Sequence, residues 1–322
     1  MNVEAHSVYR KYLPVIPHQS VPLHTRSLLC CCVHPMVVCL TLAPVFFSFC
    51  SSQVGCRQGC TFCATGRMGK LRSLSCQEIL AQLYWANKVC RLRGQEEPTS
   101  SSSTAGRKRL YPVNNIVFMG MGEPADNAQE VIKASHALVH PKQFALAGRR
   151  VTISTVGPTP SSFADLARAP VTLAWSVHTA NDYKRQRVLV PTTRYTMKEL
   201  REGFLEALSA RSRALKSTML EITLLDRVND FPEDALELVD FCQPILQRVP
   251  KLVVNLIPWN NIGGSSNAKM GFRPPTLERV AAFQKILGDR GIRCYVRTTR
   301  GDDESAACGQ LATTKKQKPK LP

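Results

Sequence analysis

Gly55-Cys56-Arg57-Gln58-Gly59-Cys60-Thr61-Phe62-Cys63 sets three thiols in a CxxxCxxC spacing. Thiolates are favoured ligands of iron–sulfur clusters. Three of them can hold three irons of a cubane while the fourth iron keeps an open position. Gly55 and Gly59 allow the loop to curl around a bulky group, and Phe62 would keep water from it. A zinc ion and three unrelated thiols are the competing readings. Zinc ordinarily takes four ligands in pairs, and no partner pair is visible. Cys56, Cys60 and Cys63 are therefore expected to bind a [4Fe–4S] cluster.

An open iron beside a redox centre suits S-adenosylmethionine (SAM). Its amino and carboxylate groups can chelate that iron, and one electron then cleaves a C–S bond to give a 5′-deoxyadenosyl radical. Outward from the cysteines, the chain from Ser51 to about Arg300 alternates β-rich runs with amphipathic stretches. A strand-like stretch running into Cys56 counts as the first strand, and a capping box, Ser75-x-x-Glu78, opens a helix. Further strands are read at Asn115–Met119, Val151–Ser154, Val171–Ser176, Met219–Leu225, Leu252–Ile257 and Arg293–Arg297, with helical patterns between them. Such repeated units give an α/β fold, an open partial (β/α)6 barrel that binds ligands at the C-terminal ends of its strands. Gly120-Met121-Gly122-Glu123-Pro124, Ser154-Thr155-Val156-Gly157 and Ser176-Val177-His178 fall at three successive strand ends. Together they describe a polar rim where Glu123 could accept from the SAM ammonium. Taken singly, a turn glycine or a strand-end serine is more often structural than not, and a buried His178 is as often a core residue as a ligand contact.

Lys and Arg number 42 against 24 Asp and Glu, a formal charge of +18. That surplus suits a polyanionic partner, nucleic acid first, although a basic surface with no partner is also compatible. The 13 cysteines are odd in number and irregularly spaced, which argues against a secreted disulfide framework and for a reducing compartment. No secretory signal is apparent after Met1. Three segments are expected: a degenerate N-terminal segment with an apolar insertion (1–50), the barrel (51–300), and a flexible basic C-terminal segment (301–322).

With Ser51-Ser52-Gln53-Val54-Gly55-Cys56, the glycine-rich turn, Asn255-Leu256-Ile257-Pro258-Trp259-Asn260 and Ala307-Cys308-Gly309-Gln310-Leu311 in this order, the chain resembles one family. It is the radical SAM adenine-C2 methyltransferases acting on 23S ribosomal RNA and, in bacteria, transfer RNA. The resemblance covers roughly Ser51 to Leu311. It implies that Cys56, Cys60 and Cys63 bind the cluster and that Gly122, Glu123, Ser154, Ser176, Val177, His178 and Asn260 contact SAM. Cys308 would carry the methyl group. In this family one SAM methylates that cysteine, and a second yields the radical that abstracts hydrogen from the S-methyl group. The carbon radical adds to adenine C2, and a second cysteine resolves the adduct, leaving a disulfide. Adenine C2 is electron-poor, so a carbon radical attacks it where simple displacement from SAM cannot. The resemblance further implies an RNA partner, an electron donor such as flavodoxin or ferredoxin, a monomer without membrane attachment, and a cytoplasmic location, with plastid or mitochondrion as alternatives. A C8-specific sister enzyme and a non-catalytic RNA-binding relative are the rival readings.

The chain departs from the family pattern ahead of Ser51. Arg26-Ser27-Leu28-Leu29-Cys30 resembles the element bearing the resolving cysteine, but some twenty residues intervene before Ser51. Phe49 occupies that cysteine's place and Cys50 lies one position away, so Cys30 and Cys50 are both candidates for the resolving thiol. The apolar run Cys31–Cys50 is read foremost as intronic sequence translated in error, ahead of a membrane span or an accommodated surface loop. Val3-Glu4-Ala5 resembles the segment bearing the family's proton-accepting glutamate, which makes Glu4 a candidate base. The helical RNA-engaging domain that the family carries ahead of the barrel has no counterpart in the first 27 residues.

Overall fold

The computed structural model describes residues 38–42, 45–93, 113–260 and 271–297. Glu4, Cys30, Cys308 and the basic C-terminal segment lie outside them. In chain order the main elements are β1 (Val38–Leu42), β2 (Val45–Phe49), β3 (Gln53–Cys56), β4 (Gly69–Ser73), α1 (Cys76–Arg93), β5 (Asn115–Phe118), α2 (Ala128–Val139) and β6 (Val151–Thr155). There follow α3 (Pro160–Ala167), β7 (Thr172–Ser176), α4 (Met197–Ser209), β8 (Thr218–Leu224), α5 (Pro232–Leu246), β9 (Leu252–Pro258), α6 (Leu277–Asp289) and β10 (Cys294–Val296).

One sheet runs in the order β1-β2-β5-β6-β7-β8-β9-β10. Every neighbouring pair from β2 to β10 is parallel, and β1 pairs antiparallel with β2 at the edge. This is the curled partial barrel that the alternation of elements implied. Four of the helices start where a side chain satisfies an orphan amide. Glu78 N donates to Ser75 Oγ at 3.3 Å while Ser75 N donates to Glu78 Oε2 at 2.9 Å, and Thr196 and Glu199 repeat the device at α4. Leu200, Phe204 and Leu208 then fall on one buried face of α4, at the helical period. Phe204 and Phe163 of α3 each lie 5.0 Å from each other's ring, and both close on the fully buried Trp175 of β7. This aromatic cluster anchors the helices to the outer face of the sheet.

Two expectations need correction. The first parallel strand is β2, inside the apolar run, and not the stretch entering Cys56. Phe47, Ser48 and Phe49 pair in register with Asn115, Ile116 and Val117 of β5. The stretch entering Cys56 is β3, which pairs with β4 in a separate hairpin. An uncharged run of this kind suits a sheet strand that is covered on both faces. Residues 45–49 thus belong to the barrel, so the expected boundary at Ser51 falls after its first strand. Among the described residues no helix is long and apolar enough to cross a membrane.

Candidate cluster and cofactor site

Cys56 closes β3, Cys60 follows in the loop, and Cys63 precedes a one-turn helix, Ala64–Arg67. The loop needs its glycine: Gly55 has φ +75°, and a Cβ there would meet the Gly69 carbonyl oxygen at 1.9 Å. Three distant turns hold the loop in place. Thr61 N donates to Leu189 O at 3.1 Å and Thr61 Oγ1 to Val188 O at 2.7 Å, in the segment after β7. Trp259 Nε1, just past β9, donates to Phe62 O at 2.8 Å. Past β5, Asp126 receives Arg57 at 2.6 Å and Gln58 Nε2 at 2.8 Å. Phe62 is buried and lies edge-on to the His178 ring at 4.7 Å.

Burial pushes the Cys56 thiol up to about 12, and nearby thiolate and carboxylate charge adds to the effect. Cys60 is raised well above its usual value, by burial first and then by Cys63 and Cys56. Among the described residues no three His, Cys, Asp or Glu converge tightly enough for a single metal ion. A cubane tolerates a wider set, because each thiolate binds a different iron.

Facing the loop is the turn after β5. Gly122 has φ +97°, and a Cβ there would strike Gln53 Cβ at 2.6 Å. Gln53 Oε1 accepts from Glu123 N at 3.1 Å. The Glu123 carboxyl accepts from Thr155 Oγ1 at 2.5 Å, Ala125 N at 2.9 Å and Val156 N at 3.0 Å. These donors leave Oε2 with capacity for one more. Burial pushes Glu123 up to about 7 against the lowering effect of those hydrogen bonds. On the adjoining strand ends the Ser154 and Ser176 hydroxyls meet at 3.0 Å. His178 has φ +60°, a sparsely populated conformation for a residue with a Cβ. Asn229 Nδ2 holds its carbonyl at 2.7 Å, and its Nδ1 accepts from Thr223 N at 3.2 Å, which places the ring proton on Nε2. Burial and then Arg185 drive this histidine well below its ordinary value, so it is neutral.

The fold therefore sets Gly122, Glu123, Ser154, Ser176, Val177, His178 and Asn260 at the C-terminal ends of strands of one sheet, and the hairpin loop of Cys56, Cys60 and Cys63 is hydrogen-bonded to the segments after β5, β7 and β9. A crystal structure of a radical SAM methyltransferase from Sphaerobacter thermophilus superposes on this chain with a TM-score of 0.72 and 34% identity, covering 85% of this chain and 72% of that one. The chain belongs to the radical SAM methyltransferase family. The radical SAM superfamily profile matches residues 105–242, a span that begins after the cysteine loop. The chain is also 40% identical over 265 residues to a "Probable dual-specificity RNA methyltransferase RlmN" of Chloroflexus aurantiacus, covering 81% of this chain and 65% of that one. It is 39% identical to a "Dual-specificity RNA methyltransferase RlmN" of a Marinomonas species, with 81% and 64% covered. The chain thus spans about 65% of the length of the curated relatives it matches.

For a radical SAM methyltransferase the donor set fits a thiolate-bound cluster: three thiols on one loop, with Phe62 buried among them, and a buried cation on the segment packed against that loop. That cation is Arg185, fully buried, whose Nε has no hydrogen-bond partner among the described residues. Sequence reasoning missed it, because Tyr183-Lys184-Arg185-Gln186-Arg187 reads as a solvated charge run. It also missed a polar group inside the barrel, where Glu221 receives Asn255 Nδ2 at 2.8 Å and Arg297 at 3.5 Å. Cys50 does not join the rim. Phe49 packs with Val117 and Met121, whereas Cys50, next in the chain, is buried in the main core with Leu74 and Ile79. It pairs with no other cysteine among the described residues, and burial pushes its thiol up to about 12.

Proposed function

We propose that the protein is a radical SAM RNA methyltransferase that methylates C2 of an adenine in ribosomal RNA, and in transfer RNA, through an S-methylated Cys308. The observation that carries this reading is the facing pair of elements at the sheet rim: the cysteine loop, and the Gly122–Glu123 turn with its spare acceptor. When bound, the cluster and SAM supply a one-electron route to a carbon radical. The chain's own groups do the rest. Phe62 excludes water, Glu123 offers an anionic acceptor to an ammonium group, and the neutral His178 presents an Nε2–H donor. Tyr183, 71% exposed, and Tyr195, 37% exposed, stand with the exposed Arg187 and Arg194 on the loop following β7, at the same rim. Aromatic faces interleaved with cations suit unstacked bases and their phosphates. On this reading the enzyme is a monomer that draws electrons from a flavodoxin or ferredoxin in the cytoplasm.

A second reading, a non-catalytic RNA-binding relative, is favoured by one observation: Phe49 stands where the family pattern has a cysteine, and Cys50 faces the core. Anaerobic reconstitution with iron and sulfide, followed by assay of 5′-deoxyadenosine release and mass spectrometry of digested RNA, separates the two. Release of 5′-deoxyadenosine with 2-methyladenosine in the digest supports the enzyme, and 8-methyladenosine supports its sister class. RNA binding with a loaded cluster but no SAM cleavage supports the second reading.

A further inference from the structure

Arg185 sits in a six-residue π-helical turn, Lys184–Leu189. Such turns are rare and concentrate at functional sites. The turn grips the site from two directions. Its guanidinium donates to Ser176 O at 2.9 Å, to Val177 O at 2.6 Å and to Val156 O, the backbone beyond β6 and β7 where the resemblance puts SAM. Its own carbonyls, those of Val188 and Leu189, receive Thr61 of the cysteine loop. One short segment therefore sets the distance between the cysteine loop and the strand-end shelf.

Its charge has no ordinary partner. No carboxylate forms an ion pair with Arg185 among the described residues, and its neighbours are carbonyl dipoles. Burying a guanidinium without an anion is costly. The segment that carries Arg185 packs Leu189 and Val190 with Cys60 and Phe62, and the Val177 carbonyl it holds adjoins His178, whose ring lies edge-on to Phe62. We propose that Arg185 is a positioning residue that ties the cysteine loop to the SAM shelf and supplies the fixed positive charge facing the cluster. This rests on the cluster reading above. Each one-electron reduction adds a negative charge to a thiolate-bound cluster, and a fixed cation nearby favours the reduced form. Removing the charge drives the midpoint potential more negative.

The molecule holds its own control. Arg211 is likewise buried, donates to Ala169 O and Val171 O, and has an Nε with no partner among the described residues, but its shift arises from burial alone with no thiol involved. It staples carbonyls on either side of Pro170, ahead of β7, and marks what a purely structural arginine does.

The test uses the full chain loaded with iron and sulfide, its iron content measured, and titrated with dithionite while the cluster signal is followed by electron paramagnetic resonance. Arg185→Gln keeps hydrogen-bond donors and loses the charge, so its potential falls below wild type. Arg185→Lys keeps the charge, so its potential stays near wild type. Both bind SAM several-fold more weakly, because the three-carbonyl fork is gone. Arg211→Gln leaves both readouts unchanged and lowers only the unfolding temperature. An unshifted Arg185→Gln, or an equal shift in Arg211→Gln, overturns the proposal. If Arg185→Gln does not fold, Arg185→Lys decides: a fall in its potential overturns the charge role. A wild-type protein that takes up no iron overturns the cluster reading itself, and iron content tells that failure from the others.

Discussion

Trp259 and Phe62 lie 197 positions apart in the chain, and the indole N–H of one donates to the carbonyl of the other at 2.8 Å. The end of β9 thereby holds the loop that carries the cysteines. Trp259→Phe keeps an aromatic ring beside Phe272 and leaves the buried Phe62 carbonyl unsatisfied, at a cost of about 1–3 kcal/mol. Trp259→Ala also removes the ring and costs about 3–5 kcal/mol. Urea unfolding measures both. The Phe variant should also lose iron faster in a chelator challenge, and equal iron retention would show that the contact does not hold the loop.

Glu123 yields a pH dependence. Burial raises its folded value from 4.5 to about 7. The folded protein therefore holds this proton more tightly than the unfolded chain does. Its contribution to stability is full below about pH 4.5 and is lost as pH rises through about 7. Cofactor binding runs the other way. An ammonium group needs the ionised carboxyl, so SAM affinity of the iron-loaded protein should rise as pH climbs through 7. Glu123→Gln should flatten that rise in an equilibrium binding titration; a rise that persists in the variant assigns it to another group.

Much of this arrangement was legible in the chain. Ser75 with Glu78 marked a helix start that the structure keeps. The strands after β4 were legible because Val, Ile and Leu fill both faces of a covered sheet. What escaped was non-local or locally ambiguous. Val45–Phe49 is an uncharged run, apolar but for Ser48, and periodicity cannot tell a buried strand from foreign apolar sequence. The burial of Arg185 depends on strand-end carbonyls that only the folded sheet assembles. The Glu123–Thr155 hydrogen bond joins the ends of two strands, and neither residue alone announces it.

Cys50 offers a test of facing. With its value pushed up to about 12, roughly one part in 10⁴ is thiolate at pH 8, and the side chain is enclosed by the core. Iodoacetamide should leave Cys50 unmodified in the native protein and alkylate it in urea, as peptide mass spectrometry would read directly. Rapid native labelling would contradict the burial and restore Cys50 as a candidate resolving thiol.

The exposed rings on the β7 loop separate stacking from charge in RNA binding. Stacking of a base on an aromatic ring contributes about 1–3 kcal/mol, so on the proposed function Tyr183→Ala should weaken binding of an unstructured RNA by roughly five- to 150-fold, whereas Tyr183→Phe should retain it. The dependence of affinity on salt should not change in either variant, because neither removes a charge. Arg187→Ala should do the reverse, costing less affinity and lowering the salt slope by about one phosphate contact. Fluorescence anisotropy across a salt series measures both quantities. If Tyr183→Ala binds as wild type while Arg187→Ala loses slope, this rim engages backbone phosphate and the bases stack elsewhere.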